Sequence, residues 1–188
     1  MAVIIDGTNG VTFPDSTVQA GVATAAEMKT GTSTTKAPSV ASVRDGTGAG
    51  WGSFRATKGG ANQTGIADTT VTPVTFGTEI YDIGSFFASN AWTPPAGKIH
   101  ISLKMLVSAT FSTAAPPAVM YIYKDGASWA SVQAAYGGTG EFSLVISEDD
   151  IATGSNVYTA QVYIDVTAGT GTVSGTAALT SFSGHVIL

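Results

Sequence analysis

The sequence predicts an all-β fold, an antiparallel sandwich or jelly roll, and three observations predict it. The first is composition: 188 residues include 23 Gly and only 11% charged residues, and Thr, Ser, Ala and Val fill much of the rest, a mix that favours strands and tight turns over helices. The second is alternation, with apolar residues recurring at every second position in stretch after stretch between residues 53 and 188. The third is punctuation. Gly-rich and Asp-Gly turns separate those stretches, and no long amphipathic helical period interrupts them. A chain of this length is sufficient for one well-buried domain and a smaller appendage.

Residues 1–20 read as an attachment segment. Val3, Ile4 and Ile5 form a β-branched run, DGTNG supplies residues that tolerate positive φ, and Val11 to Phe13 form a second run before Pro14. That pattern predicts a β-hairpin too small to stand alone in water. Residues 21–52 predict two short helices and a Gly-rich linker. Thr24 and Glu27 stand at capping-box spacing for residues 23–29, and Pro38 suits the first turn of a helix over 39–44. DGTGAG, residues 45–50, then reads as a joint.

Residues 53–188 predict the head domain. Ile99, Ile101, Leu103, Met105 and Val107 alternate with Lys98, His100, Ser102, Lys104 and Leu106, which predicts a half-buried strand. Val119, Tyr121 and Tyr123 alternate with Met120 and Ile122 ahead of a Lys124-Asp125-Gly126 turn. Phe142, Leu144 and Ile146 repeat the pattern, as do Tyr158, Ala160, Val162, Ile164 and Val166. Phe182, Gly184, Val186 and Leu188 share one face of a closing strand.

Charge and composition exclude several classes. Net charge is −5, and residues 61–188 carry nine acids against three cations, a balance that repels phosphates and excludes nucleic acid as the expected partner. No window supplies the ~20 apolar residues of a membrane helix, so no membrane insertion is expected. Cysteine is absent, which removes disulfides and thiolate metal sites. The opening MAVIIDGTNG lacks a basic region followed by an apolar stretch and a cleavage site, so Sec export is not expected.

Two sets of residues resemble known families. TPPAGKIHISL (93–103), YIYKDG (121–126), FSLVISEDDIATG (142–154) and FSGHVIL (182–188) resemble, in order and spacing, the jelly roll of the complement globular head and the tumour-necrosis-factor family. Asp125 stands where that family commonly has Asn, and His185 where it usually has an aromatic residue. The resemblance implies a homotrimer around a three-fold axis, with both chain ends at one base. AVIIDGTNGVTFPDSTVQ is similar to the opening of tailed-phage fibre and collar proteins, and AEMKTGTSTTKAPSVASV (26–43) is similar to a phage tail-fibre linker, with Pro38 one place early. These imply a virion protein, assembled in host cytoplasm, bound to a phage capsid or tail protein through residues 1–50.

Candidate sites are few. His100 and His185 are the two imidazoles. No G-x-S-x-G elbow accompanies them, and His100 beside Ser102 reads as an ordinary strand residue rather than half a triad. Glu148, Asp149 and Asp150 form the one acidic cluster, expected in a turn at the sheet edge. They are weak calcium candidates and the carboxylates that a small glycan-degrading spike enzyme would need; as bland residues they would guard an edge against pairing. Expected tip segments are residues 112–117, 129–140 and 149–156. Trp129 and Tyr136 are candidates to stack on a host glycan. Phe182, Val186 and Leu188 are expected in the closing strand and trimer contact. The expected role is a non-enzymatic, cofactor-free fibre, spike or decoration head. The alternatives are the spike enzyme and a secreted bacterial adhesin.

Overall fold

A computed structural model of the chain describes residues 4–6, 10–12, 18–19, 22–23, 37–38, 52–113, 116–134 and 139–187. Two units divide the chain, Met1–Gly50 and Trp51–Leu188. In the first, the β-branched pair Ile4-Ile5 favours extended backbone, and β1 (Ile4–Asp6) pairs antiparallel with β2 (Gly10–Thr12). The hairpin expected in residues 1–20 is therefore present, and β3 (Val18–Gln19) extends it beside β2. β4 (Val22–Ala23) and β5 (Ala37–Pro38) form a short parallel pair. Ala23 and Pro38 thus belong to strands, not helices, and extended backbone satisfies the fixed φ of proline equally well. The remaining positions of the two expected helices lie outside the described residues.

The second unit contains β6 (Ser53–Thr57), β7 (Gln63–Ile66), β8 (Thr72–Pro73), β9 (Thr78–Ile83), β10 (Phe87–Ala88), β11 (Ala91–Trp92) and β12 (Gly97–Thr110). β13 (Ala118–Lys124), β14 (Ala127–Gln133), β15 (Thr139–Ala152), β16 (Tyr158–Ile164), β17 (Gly171–Val173) and β18 (Ser181–Val186) follow. A seven-stranded sheet runs β7-β17-β12-β18-β6-β9 with β15 on the free side of β12. A six-stranded sheet runs β10-β11-β16-β13-β14, with β8 also on β16. β12 is the spine. β15 pairs with all of it, from Gly97 opposite Ala152 to Thr110 opposite Thr139. β18 and β17 share its other side.

Alternation sends one face of each sheet into a common core. Ile99, Ile101, Leu103, Met105 and Val107 are fully buried on β12, as the sequence predicts, and Tyr158, Ala160, Val162 and Ile164 are buried on β16. Ala118, Met120 and Ile122 face the core from β13, Val119 is buried as well, and Tyr121 and Tyr123 are half-buried on the outer face. The core carries a connected series of rings. Phe76 stacks near Phe182 (5.7 Å), Phe182 meets Phe54 edge-on (4.9 Å), Phe54 contacts Trp92 (5.0 Å), and Trp92 contacts Tyr158 (6.0 Å).

Turn chemistry follows the strands. Asp125 and Gly126 (φ 54° and 82°) form the two-residue link from β13 to β14, the left-handed pair that matches strand twist. Ser89 and Asn90 (φ 52° and 64°) link β10 to β11 in the same way, and Asn90 Oδ1 accepts a hydrogen bond from the Phe76 backbone N–H at 2.6 Å.

The acidic cluster is not in a turn. Glu148, Asp149 and Asp150 lie inside β15, opposite Ile101, His100 and Ile99. Charged residues are poor strand formers, but β15 borders its sheet, and charges on such a strand discourage pairing with foreign chains.

Register also defines two ends. Ser53 opposes His185, Ile99 opposes Val186, and Gly97 opposes Ala152, so the chain enters and the last strand finishes at one end. At the opposite end, Thr110 meets Thr139 and Ala118 meets Ile164. Residues 111–113 and 116–117 belong there, as expected for a tip. Residues 149–156 do not; they belong to the entry end.

Gly184 of β18 is buried beneath the Trp92 indole, and a Cβ built there would approach Trp92 Cζ3 to 2.5 Å. Gly184→Ala should therefore overpack the core and lower stability by about 1–3 kcal/mol, read as a lower urea midpoint at unchanged slope.

Candidate functional site

The outer face of the seven-stranded sheet brings together polar residues far apart in sequence. Because Ile99 and Ile101 point inward, His100 points outward, and register places Asp149 of β15 on one side and His185 of β18 on the other. His100 Nδ1 lies 2.7 Å from Asp149 Oδ1, and His100 Nε2 lies 3.0 Å from Ser147 Oγ. The His185 ring sits 5.3 Å from that of His100, centroid to centroid. An aspartate on Nδ1 fixes the neutral imidazole with its proton there, so Nε2 is left as acceptor for the Ser147 hydroxyl. The sequence pairs His100 with Ser102; the structure pairs it with Ser147. Ser102 is directly opposite Ser147 in the ladder, so the contact is a diagonal one between strands.

A second cluster closes the entry end. Asp150 Oδ2 accepts from Lys124 Nζ at 2.7 Å and from the Tyr158 hydroxyl at 2.7 Å, and Lys124 Nζ also lies 5.7 Å from the centre of the Tyr158 ring. Burial pushes the Asp150 carboxyl up, but hydrogen bonds from Lys124, Tyr158 and the Ile151 N–H outweigh it and leave the group below its ordinary value. Burial, reinforced by the bond to Asp150, drives the Tyr158 hydroxyl far above the phenol range. Asp125 accepts from the Val157 N–H at 2.8 Å and Asn156 Nδ2 at 2.7 Å, which lowers its pKa.

These contacts dissolve the acidic cluster as a single site. Successive strand residues point to opposite faces, so Asp149 serves His100 while Asp150 serves Lys124 and Tyr158. A carboxyl held below its usual range by a lysine is the opposite of the raised general acid a glycosidase needs. Among the described residues, no three or more potential metal-ligating side chains gather.

The aromatic candidates are also redistributed. Trp129 is half-buried near the entry end, with its ring edge-on to Tyr158 at 5.9 Å, so it packs on the core instead of crowning the tip. Tyr136 and Leu188 lie outside the described residues. Phe182 is fully buried and Val186 half-buried against the core. β18 is an interior strand between β12 and β6.

What the sequence does not single out is a tyrosine face. Tyr121 and Tyr123 of β13 meet edge-on at 5.8 Å on the outer face of the six-stranded sheet. Tyr163 of β16 joins them: burial first, then Tyr123 and Tyr163, raise the Tyr121 hydroxyl pKa. Gln161 stands opposite Tyr121, and Thr159 opposite Tyr123. Lys58 is a further buried group, its ammonium held by Thr75 O at 2.7 Å, Thr75 Oγ1 at 3.1 Å and Gln63 Oε1 at 3.2 Å, and burial lowers its pKa.

No family model and no curated protein matches the chain. Solved structures do. Murine APRIL at pH 5.0 aligns with a TM-score of 0.55 at 8% identity, over 72% of this chain and 98% of that one. Murine APRIL at pH 8.0 aligns at 0.54 and 11% identity, with the same coverage. The globular domain of zebrafish complement 1qA protein aligns at 0.48 and 10% identity, over 73% of this chain and 98% of that one. The fold is the tumour-necrosis-factor-like jelly roll. The jelly roll is the fold the sequence resemblance implies, and the likeness extends to fold alone.

The Asp150 cluster has a pH signature. Its carboxyl is depressed in the fold, so the stabilisation is complete above the unfolded aspartate value of about 4 and is lost as pH falls through the lower folded value. Asp150→Asn should cost about 1.5–3 kcal/mol in urea unfolding at pH 7, and the gap to wild type should narrow below about pH 4.

Proposed function

We propose that the chain is a virion structural protein, a trimeric jelly-roll head carried on a tailed-phage or phage-like particle. Residues 1–50 attach it to a capsid or tail protein, and the head contacts the host surface. The role is one of display and binding, without catalytic turnover. Assembly takes place in the host cytoplasm.

The observation that carries this reading is a set of exposed apolar side chains on both border strands of the seven-stranded sheet, set among the acids of those strands. On β9, Ile80, Tyr81 and Ile83 are 54%, 44% and 49% exposed, and on β15 Val145 and Ile151 are 53% and 69% exposed. β9 and β15 are opposite borders of one sheet. Joining one border to the other in a neighbouring copy gives a heterologous contact, which closes into a ring when the rotation between copies closes. The trimer implied by the sequence resemblance is such a ring. The adjacency of β6 and β18 at the entry end leaves the other end of the head free, which suits display. The N-terminal resemblance to phage fibre proteins supports the particle.

The tyrosine face is the surface best suited to a neutral glycan. Tyr121, Tyr123 and Tyr163 offer rings for stacking and hydroxyls for hydrogen bonds, and Gln161 and Thr159 add neutral donors and acceptors.

Native mass spectrometry should give three times the 19.0 kDa chain mass, and Ile80→Asp with Ile83→Asp should shift it to monomer. A wild type that stays monomeric at micromolar concentration overturns the trimer. Deleting residues 1–50 should abolish incorporation into particles, scored by immunogold labelling. Tyr121→Ala with Tyr123→Ala should weaken host adsorption at least tenfold, about 1.4 kcal/mol, without changing assembly.

A further inference from the structure

We propose that Ser147 is a base-activated serine, acylated or phosphonylated by small activated esters. Three side chains carry the inference: Ser147 Oγ 3.0 Å from His100 Nε2, and His100 Nδ1 2.7 Å from Asp149 Oδ1. Both separations fall within the window for a nucleophile, its base and the group that orients the base. The atoms also fall in the required order. Asp149 on Nδ1 leaves Nε2, the nitrogen facing the hydroxyl, free to take its proton.

Strand geometry holds the set. Asp149 is directly opposite His100 in the β12–β15 ladder, and Ser147 precedes Asp149 by two residues on the same face. His100 is held on its far side by the His185 ring at 5.3 Å. The set is open to solvent: the His100 side chain is 31% exposed and that of Asp149 69%. In a single copy a substrate therefore reaches Ser147 across an open face, which favours small acyl groups over ones needing a pocket. Val145 and Ile151 flank Ser147 and Asp149 on that face, so the monomeric Ile80→Asp, Ile83→Asp variant should label at least as fast as the trimer.

The step balances within the set. Ser147 Oγ bonds to the ester carbonyl carbon while its proton passes to His100 Nε2. The bond from that carbon to the leaving oxygen then breaks, and the imidazolium returns the proton to the departing alkoxide. Ser147 lies on an exposed strand face and not in a pocket, so an acyl donor with a good leaving group is required, and hydrolysis of the acyl-serine is slow. The product is a modified protein more than a turnover cycle. This inference does not depend on the virion reading.

A fluorophosphonate–biotin probe on the full-length chain, read by intact mass and peptide mapping, tests it. Ser147 should be the labelled serine. His100→Gln should slow labelling about 100-fold, the lower range for loss of a general base. Asp149→Asn, an exposed substitution that leaves the core intact, should slow it as well. Ser102→Ala should label like wild type. Label on other serines only, or undiminished label in folded His100→Gln or Asp149→Asn, overturns the proposal.

Discussion

Trp92 rests on a strip of β18 that has no side chain. With Gly184 bare, the indole fits between the two sheets and touches Phe54 on one side and Tyr158 on the other. Burying an indole of this size is worth about 4–6 kcal/mol at the usual area coefficient, an upper figure. One cost is visible: Trp92 Nε1 is buried without an acceptor among the described residues. The indole also positions Tyr158, whose hydroxyl anchors Asp150 and through it Lys124 beside the β13–β14 turn. The entry end is thus organised from one close approach outward.

The spine strand β12 explains the chemistry on both faces of its sheet. Its full pairing with β15 fixes which acid points where, a matter of one residue in register. A slip by one would place Asp150 beside His100 and send Asp149 toward the core. The same precision that buries five aliphatic side chains therefore creates the His100 cluster and the Lys124–Asp150 pair.

Much of the head was legible in the sequence, because alternation reports directly on burial. The buried face of β12, the turn at Asp125-Gly126 and the interior placement of Phe182 follow from period and turn chemistry alone. What alternation leaves open is which strand lies beside which. Ser147 and His100 are 47 positions apart, and nothing local to either announces the other. The Glu148–Asp150 run looked like a turn because acids are poor strand formers, but the fourteen-residue ladder with β12 overrides that preference. Trp129 looked like a tip residue because residues 129–140 read as a link between strands, but β14 runs from Ala127 to Gln133, and Trp129 falls at the register shift opposite Ile122 and Tyr123 with its ring edge-on to Tyr158.

The adjacency of β6 and β18 bears on how the head is made. A ribosome delivers Ser53 long before it delivers His185, yet these two residues are partners in the finished sheet. β18 also sits between β6 and β12, so β6 has no place in the sheet until β18 arrives to bridge them. Such distant pairings close large loops and make folding slow. During synthesis, then, the facing edges of β6 and β12 wait unpaired for their missing neighbour. The β6–β9 side of the seven-stranded sheet is joined to its spine only when β18 takes its place between them.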